Sequence, residues 1–502
     1  MELANAIRVV AAVFRQRPSD LLPFYILSLA IPAIAQVIGL VGAVALVGYL
    51  YSTGRLAAFQ ERLAGLEEPP DPAEEEAFIE WSEQVVEVFD PLVSIPSIIL
   101  LVITVAVLVF AVFLLSAGTN AGQLATCFGR LRGEGGVVAG IDGFRRYWLK
   151  MAGLYLLEFF LWVTITVAAA LFIGLAAMVS AVLALFVAIF VLLAWAIAAV
   201  IIRAVFVFAP VALVVEDRSV IGSVSAGGRY IREDFVGAVS YYAVAIGVLI
   251  GFSGVAGSFA LVGAPAIASL VSLLLIAPAL DLLKTVFYGD HRDLVDPPSA
   301  PERGLWSQTT LGFRRSLRET GAFVKHTPGY HVAAIAFMAI GFVIGWIAIE
   351  PFVGEVPFPS ISERFEMIFA PAAPLYFFGN NWSVAMSMAY AGTALALPAA
   401  VILWFNGLAF AVTARLEPDP IELAAFVIPH GVIEIPAILI SGALGIYLGV
   451  TVWRTWRGRL PRQVLAETLR RSVWVLLGVG ILLALAGLIE GYFSPYYYRP
   501  FL

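Results

Sequence analysis

The residues best placed to do chemistry stand in one apolar stretch, Phe426 to Gly449, which reads FVIPHGVIEIPAILISGALGIYLG. It is apolar enough to cross a bilayer, yet it carries Pro429, His430 and Glu434 in its first half. If the span begins near Ile421, a rise of about 1.5 Å per residue puts His430 and Glu434 roughly 13–20 Å deep, near the bilayer midplane. An ionisable group at that depth costs roughly 2.5–3.5 kcal/mol on insertion scales, so it needs a partner or a purpose. The spacing of four sets both side chains on one helical face, within reach of each other. Two readings follow: the pair satisfies itself inside a helix bundle, or it handles a proton, an ion or a ligand.

Most other catalytic sets are missing. The four histidines are His291, His326, His331 and His430, and only the last lies inside a clear span. There is no H-E-x-x-H, no G-x-S-x-G, no Walker loop and no glycine fingerprint after a strand. One histidine with one or two carboxylates is a thin set for zinc, which takes three or four ligands. The expectation is therefore a non-enzyme with no cofactor and no metal. The single Cys127 excludes an intrachain disulfide and a cysteine metal cluster. It reads as an unpaired thiol in a glycine-rich, arginine-flanked loop. Glu490 reads as an interface residue near the end of the last span.

The elements that must position these groups are helices. With 61% hydrophobic residues and a mean hydropathy of +0.93 over 502 residues, the chain reads as an all-α polytopic membrane protein. About nine to eleven membrane helices fit, in two helical domains. Residues 1–20 form an amphipathic helix with Ile7, Val10, Ala11 and Phe14 opposite Arg8, Arg15 and Arg17, and no short cleavage site follows. That pattern suits the cytoplasmic membrane surface.

Residues 21–295 make a six-span domain. Its loop at 52–91 carries Glu67, Glu68, Asp71, Glu74 and six further acidic residues up to Asp90 against only Arg55 and Arg62. Such a helical hairpin, broken at Pro69 to Pro72, belongs outside, because short cytoplasmic loops collect arginine and lysine. Arg130, Arg132, Arg145 and Arg146 place the next loop inside. Met151 to Ile202 holds two spans with a turn near Gly174 to Val179, and Glu158 there either snorkels or bonds a neighbouring helix. Gly251, Gly254 and Gly257 have the spacing that permits close helix packing.

Residues 296–329 read as a basic cytoplasmic linker: DPPSAPERG, then Arg314, Arg315, Arg318 and Lys325, suited to anionic lipid headgroups. A small patch on a chain of net charge -6 argues against nucleic acid. In the second domain, residues 330–502, the arginines from Arg454 to Arg471 must be cytoplasmic. The helix from Ile421 then starts outside, and Ser383 to Arg415 begins and ends there. About thirty residues are too few for two crossings of about twenty. The expectation is a broken or re-entrant hairpin of two short helices meeting near Leu397 to Ala400, with Asn406 brought near His430 and Glu434. The last span, Ser472 to Tyr492, crosses outward and ends in an aromatic anchor of Tyr492, Phe493 and Tyr496 to Tyr498. A plasma-membrane protein results, with a cytoplasmic N-terminus and an extracytoplasmic C-terminus.

Four strings carry a resemblance: FFGNNWSVAMSMAYAG from Phe377, WFNGLAFAV from Trp404, PHGVIEIPAILISGALGIYLG from Pro429 and LAGLIEGYFSP from Leu485. By order and spacing, the region from about Arg303 to Leu502 resembles the stage II sporulation protein M family. The resemblance implies an integral membrane component that recruits or anchors partners during envelope remodelling. It carries recurring polar positions onto Asn380, Asn381, Asn406, Gly407, His430, Gly431, Glu434 and Glu490, a cluster that fixes the bundle and serves a ligand or proton. More loosely, Arg203 to Phe235 is similar to membrane domains attached to glycerophosphodiester phosphodiesterases, although no phosphodiesterase domain is present. The function expected is a non-enzymatic scaffold in envelope or membrane organisation, a homodimer or larger assembly in the lipid bilayer with envelope protein partners. The alternative is a transporter or channel for a small solute or ion, using His430, Glu434 and Asn406.

Overall fold

The computed structural model describes all residues except 67–68, 72–74, 300, 356, 367–369 and 498–502. Glu67, Glu68, Pro72 and Glu74 of the acidic hairpin and Tyr498 of the aromatic anchor lie outside the described residues. Among those described, helices are the only regular structure. The chain opens with α1 (Leu3–Gln16), α2 (Pro23–Ser52), α3 (Arg55–Ala64), α4 (Glu75–Phe89) and α5 (Ile95–Leu131). Next come α6 (Gly136–Val179), α7 (Ala181–Val215), α8 (Val220–Glu233) and α9 (Phe235–Leu261). A π turn at Ser272–Ile276 joins α10 (Pro265–Val271) to α11 (Ala277–His291). That turn precedes Pro278, whose ring and missing N–H disturb the ladder upstream. The remainder is α12 (Leu305–His326), α13 (Pro328–Ala348), α14 (Ile361–Glu366), α15 (Ala373–Ala391), α16 (Leu397–Leu416), α17 (Pro420–Trp456) and α18 (Arg462–Tyr492).

Among the described residues, ten helices are long and apolar enough to cross a membrane, counting Pro265–His291 as one. Lipid offers no hydrogen bonds, so helices that satisfy their own backbone are what such a sequence must form. Their outer faces are apolar: Leu171, Phe172, Leu185 and Phe186 are all exposed. The protein is an all-α, multi-pass membrane protein, as its composition indicates.

The chain forms two compact units, one of residues 1–31 with 114–502 and one of residues 32–113, so the division falls inside α2 and α5. In the smaller unit Arg55 Nη1 donates to the Pro91 carbonyl (3.0 Å) and Arg62 Nη1 to that of Glu87 (2.7 Å), tying α3 to the segment that closes the hairpin. In the larger unit the buried Asp20 carboxylate accepts from Gly136 N (3.0 Å) and Val137 N (3.1 Å), so it satisfies two orphan donors at the start of α6. Arg130 balances its charge at 3.7 Å.

Several expectations change. Cys127 is not in a loop: it is fully buried within α5, 3.3 Å from Tyr25 Oη, which donates to Asp281 (2.9 Å), itself paired with Lys284 (2.8 Å). Helix continues through that region because its small residues let neighbours in, as where Ala125 meets Gly143. Gly251, Gly254 and Gly257 have nothing within 4 Å of where a Cβ would sit, so within this chain they mediate no packing. Glu158 is bonded by Arg203 at 2.9 Å. The turn expected near Gly174 to Val179 falls at Ser180, whose Oγ accepts from Leu183 N (3.1 Å) and caps α7.

The hairpin expected within 383–415 also differs. Its helices, α15 and α16, have 19 and 20 residues and are joined at 392–396. At about 1.5 Å per residue each reaches close to 30 Å, the hydrocarbon thickness, so neither is a half-length piece. The difference lies in the starting point: α15 begins at Ala373, with Pro374 as its start signal, upstream of the Ser383 at which the hairpin was expected to begin. Parallel to one another, α13 and α16 approach so closely that a Cβ on Gly407 would lie 1.9 Å from the Met338 carbonyl, and one on Gly341 1.9 Å from that of Trp404. Similarly, α15 and α17 meet where Gly392 faces the Gly445 carbonyl and Gly449 faces Ala396 N.

Candidate polar site between α17 and α18

Asp419 starts α17 by accepting from Ile421 N and Glu422 N, both at 3.0 Å. Two prolines then interrupt its ladder, Pro429 and Pro436. Lacking an N–H, Pro429 frees the carbonyl four residues back, that of Ala425. Tyr497 Oη donates to it at 2.6 Å. That bond brings the chain after α18 back over α17, and Ser494 lands on His430: its Oγ is 3.1 Å from His430 Nδ1.

His430 is 5% exposed, and its Nε2 lies 3.8 Å from Glu490 Oε1. Glu490 is 9% exposed and Glu434 half-buried. One donor atom from each of these three residues falls within 4.8 Å of the others. Both Glu434 Oε2 and Glu490 Oε2 are buried without a hydrogen-bond partner. On one side lies an apolar layer of Phe365, Ala373 and Phe426, with Phe426 edge-on to the His430 ring at 5.6 Å. On the other lies a second layer of Ala385, Ala437, Val479 and Leu483. Such walls lower the local dielectric and strengthen every electrostatic interaction between them.

The residues read alone brought together His430 and Glu434 and left Glu490 as an interface residue, whereas the family resemblance put Glu490 in the same polar cluster; the structure turns it inward. Glu490 sits in the last turn of α18, so the trio lies toward one end of the helix pair. Asn406 does not join it, since its Nδ2 bonds the Ile402 carbonyl of its own helix at 2.7 Å. Asn380 Nδ2 bonds Asn381 Oδ1 at 3.2 Å, with Asn380 exposed. Gly407 serves the α13–α16 contact, while a Cβ on buried Gly431 would meet only side chains of α17 itself, Val427 and Ile435. The Pro429 gap is a signal for the Tyr497 bond, which in turn brings Ser494 to His430.

The basic residues of α12 gather elsewhere. Arg314, Arg315, Arg318 and Lys325 are all exposed. Of the four, Arg315 lines a cleft of about 640 Å³ with Arg15, Arg17, Arg303, Arg470 and Trp474. Its guanidinium stacks over the Trp474 ring at 4.5 Å. Trp474 Nε1 and Arg15 Nε are buried there without hydrogen-bond partners.

No curated protein and no solved structure matches the chain. The likeness suggested for residues 203–235 finds no counterpart in these comparisons. For the part of the chain that builds the polar site the outcome is different: residues 334–495, which contain α15 to α18 whole, match the family described as stage II sporulation protein M.

Proposed function

We propose that the protein is a non-enzymatic membrane scaffold, an oligomer that organises the envelope by holding partner proteins at the bilayer. The observation that carries this reading is the backbone-to-backbone packing of α13 with α16 and of α15 with α17, where a single added methyl would fall about 2 Å from a carbonyl oxygen. Helices seated that closely have one arrangement, whereas alternating access needs one group of helices to rock against another. A rigid module suits anchoring. Exposed Asn380, in the middle of α15, offers an amide to a second copy, a common adhesive between membrane helices. On the cytoplasmic side, the arginine cleft holds the scaffold against anionic lipid, each nearby arginine contributing about 1 kcal/mol.

Cross-linking and mass measurement of the protein in lipid, followed by flux assays in liposomes, test the reading. The expected result is a dimer or larger species that passes no ion or small solute beyond the protein-free background. Saturable flux that His430→Leu abolishes without altering the assembly would refute the scaffold and establish a transporter.

A further inference from the structure

We propose that His430, Glu434 and Glu490 form a binding site for one divalent transition cation of the zinc type. Three donor groups from two helices converge within 4.8 Å, one imidazole nitrogen and two carboxylates. Tetrahedral ligands about 2.1 Å from a shared centre stand roughly 3.4 Å apart, so small side-chain rotations close the set. Imidazole with carboxylate is a donor set suited to zinc, iron or manganese, whereas magnesium and calcium take oxygen alone.

Two observations and one charge argument point to a cation, beyond proximity. Glu490 is nine-tenths buried, yet its Oε2, like that of Glu434, has no hydrogen-bond partner. Ionised, the two carboxylates would place two negative charges in an apolar bundle, and a divalent ion would bring the site to neutrality. The histidine is also oriented to ligate, because Ser494 engages Nδ1 at 3.1 Å and leaves Nε2 directed at Glu490. Fixing one ring nitrogen so that the other faces the metal is the usual role of a supporting group. Phe426, edge-on to the His430 ring at 5.6 Å, gives the ligand set an apolar neighbour. Because one ligand comes from α18 and two from α17, the ion would clasp the two helices.

The full-length protein, purified in detergent from cells grown with added zinc, iron and manganese, is assayed for metal by mass spectrometry after exhaustive desalting. Close to one equivalent per chain is expected, falling below a tenth in the Glu434→Gln/Glu490→Gln double variant. Ser494→Ala keeps all three ligands and should weaken affinity roughly 10- to 100-fold, leaving helix content and assembly unchanged. Cobalt added to the chelated wild type should give the visible absorption of a low-coordinate site. Absence of metal together with absence of a cobalt spectrum, in protein that is folded and equally heat-stable with and without chelator, overturns the proposal. The carboxylates would then be sharing a proton. Metal that survives the double substitution overturns it as well.

Discussion

His430 shows how little of a site one helix can specify. Its ring is held by Ser494, faced by Glu490 and shielded by Phe426, and only Phe426 and Glu434 are near it in sequence. Spacing along α17 made the histidine and Glu434 legible, because residues four apart share a face. Ser494 and Glu490 were not, since their positions depend on how α18 and the chain beyond it dock. Ser494→Ala, read by thermal unfolding in detergent with chelator present, is expected to cost about 1 kcal/mol, the usual net worth of a hydrogen bond. Tyr497→Phe should cost a similar amount, because it strands the Ala425 carbonyl that Pro429 left open. Asp20→Ala should cost more, about 3 kcal/mol or above, because it removes both the cap of α6 and the counter-charge of buried Arg130. Only this last loss is expected to shift the unfolding temperature by many degrees.

At the scale of elements, glycine spacing alone did not tell packed helices from open ones. Gly251, Gly254 and Gly257 look like an association motif yet face empty space, whereas Gly341, Gly392, Gly407 and Gly449 sit against carbonyls or amides. A helix presents the same small-residue stripe in either case, and only the neighbour decides its use. Gly407→Leu is expected to destabilise by about 3 kcal/mol or more, since the Met338 backbone cannot retreat. Gly254→Leu is expected to stay within about 0.5 kcal/mol. Equal losses at the two sites, measured by unfolding in the same detergent, would show that this packing is not what holds the module. The α15–α16 turn adds a further constraint. Leu395 and Ala396 adopt positive φ of 62° and 67°, unfavourable for residues with a Cβ. Contact of Gly449 with Ala396 N holds that turn in place. Its strain was invisible in a string of leucine and alanine.

At the scale of the whole molecule, charged groups from α6, the segment just before α8 and the chain after α11 gather around Glu216 and Asp217. There Glu216 is bonded by Tyr288 and Arg218 and paired with Arg292, and Asp217 is bonded by Arg146 and Lys150. Burial would raise the Glu216 carboxyl, but the Tyr288 hydroxyl and the two arginines outweigh it and hold it below its ordinary value. The effect of burial on Asp217 is likewise overcome by Lys150 and Arg146 together, which hold it below its ordinary value. A carboxylate held low in the folded state contributes stability that is complete above its unfolded pKa of about 4 and is lost as pH falls through the folded value. The unfolding temperature should therefore be level between about pH 7 and 5 and decline below about pH 4. Glu216→Gln/Asp217→Asn should flatten part of that decline. By itself the sequence determined the class: apolar runs of this length must become membrane helices, because in lipid each backbone must satisfy its own hydrogen bonds. It also determined most helix locations and half of the polar site, which follow from local periodicity and proline or capping signals. Only the tertiary structure decided that Ser494 joins the site, that Glu490 faces His430 rather than the interface, that Asn406 stays out, and that α15 and α16 are full-length. Those outcomes depend on contacts between residues far apart along the chain, which no local pattern encodes.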